Sequence, residues 1–502
     1  MSETDTRPEA APETARREPA GRWSLRRLRP DLVVIVAAVL FTVTVSVVRA
    51  FTTPLLATAD ETAHLDYALQ VWHGALPVFE DGVRLVQPWG PVPPVQWVAQ
   101  HPPLFYALLA PLVGTLADGG HLYTAVLAGR AANALLAGAT VLAVWWAARQ
   151  IFRRDRAVAA VAAVVTSMTG MLVLVAGSIY NDLLTVVFAA LAVGMSARFV
   201  RDGVTPVSAV VAVLVCTGGV ASRASFVVFL AAVLGGVLVA RRRSRLQRDV
   251  LARVATAVAA IAVPLAAVGW FYARNVALTG TVTGGHPDWA AANLGRNTHT
   301  VVEVVQAPTF WTGLFSLYRY DVDRSVPWPW LALLGPLVLA FVGALVLVVR
   351  RRLRPSRPDL LVALMLLAVT GLTIGMQLAF VAGGGAPNTR YSLPLLAVLA
   401  PLMAWGLTRG GRAGVVLVAA WTAGVFAACL SALDLVTPVG PQVVLDVARV
   451  LFAVSVLAVV VFLAAVAVLL TRGPRWSPDD LSAPGSRGQR GRRRRGAPAP
   501  SQ

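Results

Sequence analysis

Apolar runs of about 20 residues recur along this 502-residue chain, at 31–50, 122–148, 157–176, 183–200, 205–222, 224–240, 254–273, 328–349, 360–382, 391–408, 413–432 and 447–470. A helix rises about 1.5 Å per residue, so each run is long enough to cross, or nearly cross, a hydrocarbon core of about 30 Å. The expected fold class is therefore all-α, a polytopic transmembrane helical bundle of about twelve spans. Composition agrees: 57% of residues are hydrophobic and 14% charged, with a mean hydropathy of +0.68. These values exclude a soluble multidomain protein.

A formal charge of +19 would point to nucleic acid in a soluble chain. Here the basic residues, all 44 of them arginine, fall in short clusters between the apolar runs. That is the positive-inside pattern, so the expected partner is the lipid bilayer and not nucleic acid. Cys216 and Cys429 lie far apart inside apolar runs and read as packing residues. Residues 1–30 and 472–502 are rich in Pro, Gly, Ala, Ser and Arg, and are expected to be disordered tails flanking a transmembrane domain over 31–471. The first run is too long for a cleaved signal peptide.

Parity assigns the sides. The segment 102–116 is short and interrupted by Pro102, Pro103 and Pro111, and reads as interfacial or re-entrant. If it does not cross, 34 arginines lie at or near the inner side and 10 at or near the outer. Both termini are then cytoplasmic in a plasma-membrane protein. The six histidines fall on the outer side, within two long outer loops, about 51–121 and 274–327. Loops of that length in a compact membrane protein are usually functional. No internal repeat of the kind seen in inverted-repeat transporters is evident.

The densest chemistry is Asp60-Glu61-Thr62-Ala63-His64, just after the first span. Ionisable groups are costly in hydrocarbon, so a cluster at the boundary suggests interfacial chemistry. Thr58-Ala59-Asp60-Glu61 also fits a capping box, which would account for the acids structurally. The following helix, however, places Asp60, His64 and Tyr67 on one face, which a cap does not require. An ionised carboxylate beside an imidazole can take a proton from a hydroxyl or hold a divalent cation. His101 opens the His-Pro-Pro segment, and Asn181-Asp182 lies between two spans, as a turn or as part of a site. Arg130, Arg223, Arg274 with Asn275, and Arg390 with Tyr391 fall near the predicted outer boundary. They can snorkel to headgroups or, jointly, form a cationic ring for a lipid-linked phosphate.

The motifs ADETAH, QHPPLFY, SIYNDLL, WFYARNVALTG and NTRYSLP occur in an order that resembles the GT-C superfamily of integral-membrane glycosyltransferases. The first two look most like a bacterial membrane-protein family of unknown function related to it. The resemblance runs from about residue 31 to 410. It implies a GT-C-like bundle with interfacial helices, and an inverting transfer of a sugar from a polyprenyl-phosphate donor to an envelope glycan, lipid or protein acceptor on the outer face. By that resemblance Asp60 matches the catalytic base, with Glu61 its neighbour or a metal ligand. Arg390 and Tyr391 resemble the motif near the donor phosphate. His64, His101, Arg130, Asp182, Arg223, Arg274 and Asn275 complete the candidate substrate-binding set. The superfamily has metal-dependent and metal-independent members, so a divalent metal is an option and no cofactor is assigned. The competing readings are a transporter or flippase of lipid-linked envelope precursors, and a non-catalytic envelope assembly protein.

Overall fold

The computed structural model describes residues 29–153, 155–243, 246–320, 328–350, 352 and 355–472. The tails expected to be disordered lie outside these, apart from the few residues at their inner edges. Every expected apolar run forms helix. Among the described residues, nine helices are long and apolar enough to cross a membrane: Pro30–Thr52, Leu122–Ile151, Asp182–Asp202, Gln247–Thr279, Pro329–Val349, Arg357–Ala382, Thr389–Thr408, Arg412–Ser431 and Gln442–Thr471. They make this a multi-pass membrane protein.

The expected count of twelve is altered at three places. The run at 157–176 is two helices, Arg156–Ser167 and Gly170–Ala176, bent by 55°. Pro206–Ser222 and Ala224–Leu238 are shorter than the rest, about 25 and 22 Å at helical rise. Length and composition alone thus support nine or ten crossings. Leu104–Asp118, the segment read as non-spanning, is likewise a helix of 15 residues, about 22 Å long.

The 55° break has an identifiable cause. A second strand of chain, Leu317–Tyr320, docks into it. The Met171 amide donates to the Leu317 carbonyl at 2.9 Å, and the Tyr320 hydroxyl donates to the Met168 carbonyl at 2.8 Å. Backbone groups freed by a kink at membrane depth need such partners, because no water replaces them. Gly170 permits the approach, since a Cβ there would collide with the Arg319 carbonyl.

The first and last helices, Pro30–Thr52 and Gln442–Arg472, lie side by side. Phe41 meets Phe462 of the last helix and Phe426 of Arg412–Ser431 edge-to-face, and Thr44 and Ser455 share a hydroxyl hydrogen bond of 2.7 Å. Small residues let neighbours close in, as lipid-embedded helices require. Gly194 faces the ring of Trp146, where a Cβ would overlap it.

The charged residues separate to the two ends of the bundle. At one end Arg153 pairs with Asp202, Arg201 with Asp359 at 2.6 Å, and Arg29 with Asp31 at 2.7 Å. At the other end lie the Ala59–Trp72 helix, the turn before Asp182, the end of Pro206–Ser222 and the Thr389–Leu395 3-10 turn. Two segments of the sequence, about 53–101 and 280–300, interlock there. The Asn275 amide donates to the Gln100 and Val282 carbonyls at 3.1 and 3.3 Å. Phe79 stacks on His286 with ring centroids 3.6 Å apart.

Candidate active site

Asp60 stands in the first turn of the Ala59–Trp72 helix, which starts there because Thr58 is extended and its hydroxyl accepts from the Glu61 amide at 3.2 Å. That is half of the expected capping box. The Glu61 carboxylate does not return to the cap; it turns inward to Arg130, with Nε–Oε1 2.7 Å and Nη2–Oε2 2.8 Å. It also accepts from the Ile179 amide at 3.1 Å. Arg130 donates further to the carbonyls of Ala50, Thr53 and Pro54 at 2.8–2.9 Å. All five N–H groups of the guanidinium therefore have acceptors. Glu61 is 1% and Arg130 0% exposed. This fork-to-fork pair fastens the turn before Asp60 to the Leu122–Ile151 helix and offers no free donor to a ligand.

The same turn carries Leu56 at φ 48°, the one non-glycine residue at positive φ among the described residues. A left-handed leucine is costly and persists only where its surroundings impose it. Here Gly90 lies against its carbonyl, so closely that a Cβ would overlap it.

The Asp60 carboxylate meets Arg390, with Nη2–Oδ2 2.8 Å. Burial opposes its ionisation, but Arg390, His64 and Arg223 outweigh burial and hold the carboxyl below its ordinary value. Arg390 lies over the rings of Tyr180, at 5.1 Å, and Tyr391, at 5.3 Å. Its Nη2 is also 3.4 Å from the Tyr391 hydroxyl. The Asn388 side chain caps this turn by accepting from the Arg390 amide at 3.1 Å.

A second acid–arginine pair lies beside the first. Asp182 and Arg223 are bonded, and Arg223 Nη1 also reaches the Asn181 carbonyl oxygen at 3.4 Å. Arg223 sits 5.7 Å from the centre of the Tyr391 ring, so both guanidinium groups lie over that one ring. Asn133 holds the loop ahead of Asp182 by donating to the Ser178 and Tyr180 carbonyls at 2.6 and 3.0 Å.

His64, one helical turn beyond Asp60, is buried; its Nδ1 is 2.8 Å from the Tyr106 hydroxyl. Tyr106 stacks on Tyr67, whose hydroxyl donates to the His101 carbonyl at 2.9 Å. Burial outweighs the nearby Asp60 and Asp182 and pushes the His64 imidazole down to about 3. Burial, with Arg223 adding to it, likewise pushes His101 well below its ordinary value. Both imidazoles are therefore neutral near pH 7.

The candidates separate into three groups. Asp60, His64, Asp182, Arg223, Arg390 and Tyr391 converge on one site, with the His101 ring 6.3 Å from that of His64. Glu61 and Arg130 form the buried lock beneath it. Arg274 and Asn275 join the long loops instead: Arg274 Nη2 donates to the Pro77 carbonyl at 2.7 Å. Sequence reasoning did not single out Tyr106 and Tyr180, although both fall inside quoted motifs, HPPLFY and SIYNDLL. Tyr180 bonds the cap residue Thr58 at 2.8 Å. Among the described residues no three His, Cys, Asp or Glu side chains gather as metal ligands. Each of the two site carboxylates is met by a guanidinium group.

Residues 100–270 match the family model described as dolichyl-phosphate-mannose-protein mannosyltransferase. That segment contains His101, Arg130, Asp182 and Arg223. Among solved structures, ArnT from Cupriavidus metallidurans bound to undecaprenyl phosphate is 16% identical with a TM-score of 0.44, over 88% of this chain and 76% of that one. The oligosaccharyltransferase of Archaeoglobus fulgidus in the apo form is 14% identical with a TM-score of 0.46, over 88% of this chain and 57% of that one. The oligosaccharyltransferase AglB of Archaeoglobus fulgidus, in complex with an inhibitory peptide and a dolichol-phosphate, is 15% identical with a TM-score of 0.45, over 87% and 56%. The chain thus spans little more than half the length of the archaeal oligosaccharyltransferases. Likenesses at these TM-scores fix neither activity nor ligand. No curated protein matches the chain, so the finer likeness to a bacterial family of unknown function gains no support. Two of the five motifs, QHPPLFY and SIYNDLL, lie inside residues 100–270, so over that third of the chain the match bears out the resemblance to the GT-C membrane glycosyltransferases, and the all-helical multi-pass architecture agrees with it.

Proposed function

We propose that this protein transfers a sugar, with inversion, from a polyprenyl-phosphate donor to an envelope acceptor at the outer face of the plasma membrane. The observation that carries the reading is the pairing of Asp60 with Arg390 at 2.8 Å, beside the Asp182–Arg223 pair. An acceptor hydroxyl must lose a proton as it attacks, and the departing lipid phosphate must be stabilised as charge builds on it. A carboxylate and two arginine forks in one interfacial site supply both needs.

Asp60 is the base in this scheme, and Arg390 and Arg223 hold the phosphate. When a donor phosphate engages Arg390, the guanidinium is shared away from Asp60. The carboxylate then becomes more basic as the substrate arrives. Tyr391, whose ring both arginines face, holds them near one another. His64, buried, and His101, half-buried, line the site as neutral hydrogen-bonding groups. Arg274 and Asn275 hold the acceptor-facing loops together, and Glu61 and Arg130 fix the turn on which Asp60 stands. Asp60 could also bind a divalent cation, but Arg390 already neutralises it, so the scheme assigns the metal no role.

Mass spectrometry of envelope glycans and polyprenyl-linked sugars in a deletion strain tests this function. Loss of one sugar from a glycan, with accumulation of its lipid-linked donor, is the expected result. Unchanged glycans together with lipid-linked precursors trapped on the inner leaflet would favour the flippase reading and overturn the transferase.

A further inference from the structure

Beside the Asp60–Arg390 pair, two polar atoms have no partner among the described residues. Asn181 is 0% exposed, and its Nδ2 donates to nothing. Asp182 is 5% exposed, and its Oδ2 accepts from nothing. The orientation of the Asn181 amide follows from its neighbour. Arg223 Nη1 approaches the Asn181 Oδ1 at 3.4 Å and would clash electrostatically with an NH₂ group there. The free atoms are thus an amide donor and a carboxyl oxygen on consecutive residues. Arg390 Nε, a third buried donor, is also unpartnered, and Arg390 lies within electrostatic reach of Asp182.

Buried polar groups are very rarely left unsatisfied, and a carboxylate oxygen is the most costly to leave so. A cation fits Asp182 Oδ2 badly, because Arg223 and an amide N–H adjoin it. A phosphate oxygen fits Arg390 Nε but is repelled by the carboxylate. A hydroxyl suits each of them, as donor to Asp182 Oδ2 and as acceptor from Asn181 Nδ2. We propose that Asn181 and Asp182 form the subsite that binds the hydroxyl groups of the donor sugar, next to the arginines that hold its phosphate. The inference rests on the glycosyltransferase reading and adds Asn181 as a specificity-determining residue.

The test compares two lipids on the purified full chain in detergent micelles: a long-chain polyprenyl monophosphate, and the same lipid carrying mannose. Asn181→Ala should weaken the mannosyl lipid about tenfold, the loss of one good hydrogen bond, and leave the bare phosphate within about twofold. Asn181→Leu keeps the bulk, removes both polar atoms, and should show the same selectivity if the alanine variant does not fold. Equal weakening of both lipids, or of neither, overturns the subsite and leaves the transferase reading standing. Wild-type protein that binds neither lipid overturns the transferase reading, and the subsite with it.

Discussion

Arg130→Met should unfold this protein far more readily than any substitution at Asp60. The change removes five hydrogen bonds at once: two to Glu61, and one each to the carbonyls of Ala50, Thr53 and Pro54. It also strands the Glu61 carboxylate, 1% exposed, with only the Ile179 amide as partner. Breaking one side of a buried ion pair costs about 3–5 kcal/mol. The three orphaned carbonyls add to this, although each keeps a second lone pair. A loss of about 4 kcal/mol is therefore expected, a large fraction of the stability of an ordinary domain. Glu61→Gln together with Arg130→Met should recover part of it, because no charge is then left buried alone. Reversible unfolding in mixed micelles, followed by circular dichroism, measures these differences. If Arg130→Met unfolded like the wild type but bound polyprenyl phosphate poorly, Arg130 would belong to the donor site and not to the scaffold.

The pH dependence of transfer should report Asp60. Its carboxyl is held below the ordinary value of 3.8, so kcat/KM should fall only as pH drops through that lower value. Arg390→Met leaves burial unopposed by its largest partner and should move this acid limb upward; an unmoved limb would separate Asp60 from catalysis. His64, pushed down to about 3, should contribute no limb near its usual 6.5. Asn275→Ala removes one bond between the long loops, to Gln100, and one within its own loop, to Val282, at a cost of about 1–3 kcal/mol. Hydrogen exchange across residues 77–101 should speed up in that variant, and unchanged protection would show that other contacts hold the loops.

Much of this arrangement is legible in the chain because it is written in local pattern. Hydrocarbon demands about 20 apolar residues per crossing, so every apolar run became helix. Asp60, His64 and Tyr67 share a helix face by spacing alone. Partner choice is not local. Glu61 looked like half of a capping box, but its partner Arg130 is 69 residues away. The capping geometry lost to a buried arginine fork, which satisfies more of the carboxylate. The break near Met168 was equally hidden, since its cause is a segment about 150 residues further along. Asn275 sits in a motif suggestive of a site, yet its amide serves two carbonyls that only the folded loops bring together. Nothing local marks Tyr106 and Tyr180 apart from the motifs that hold them, and only the helix arrangement sets them against His64 and Thr58.

The central claim is that Asp60 removes the acceptor proton, and Asp60→Asn tests it most directly. The substitution keeps the shape, keeps one oxygen for Arg390, and removes the basic oxygen. The measurement is sugar transfer from polyprenyl-phosphate-mannose, or from the donor that accumulates in the deletion strain, by full-length protein in liposomes. Inserted and folded Asp60→Asn protein should transfer about 100- to 10,000-fold more slowly than wild type, the range spanned by lost general bases. Transfer at the wild-type rate would contradict the assignment.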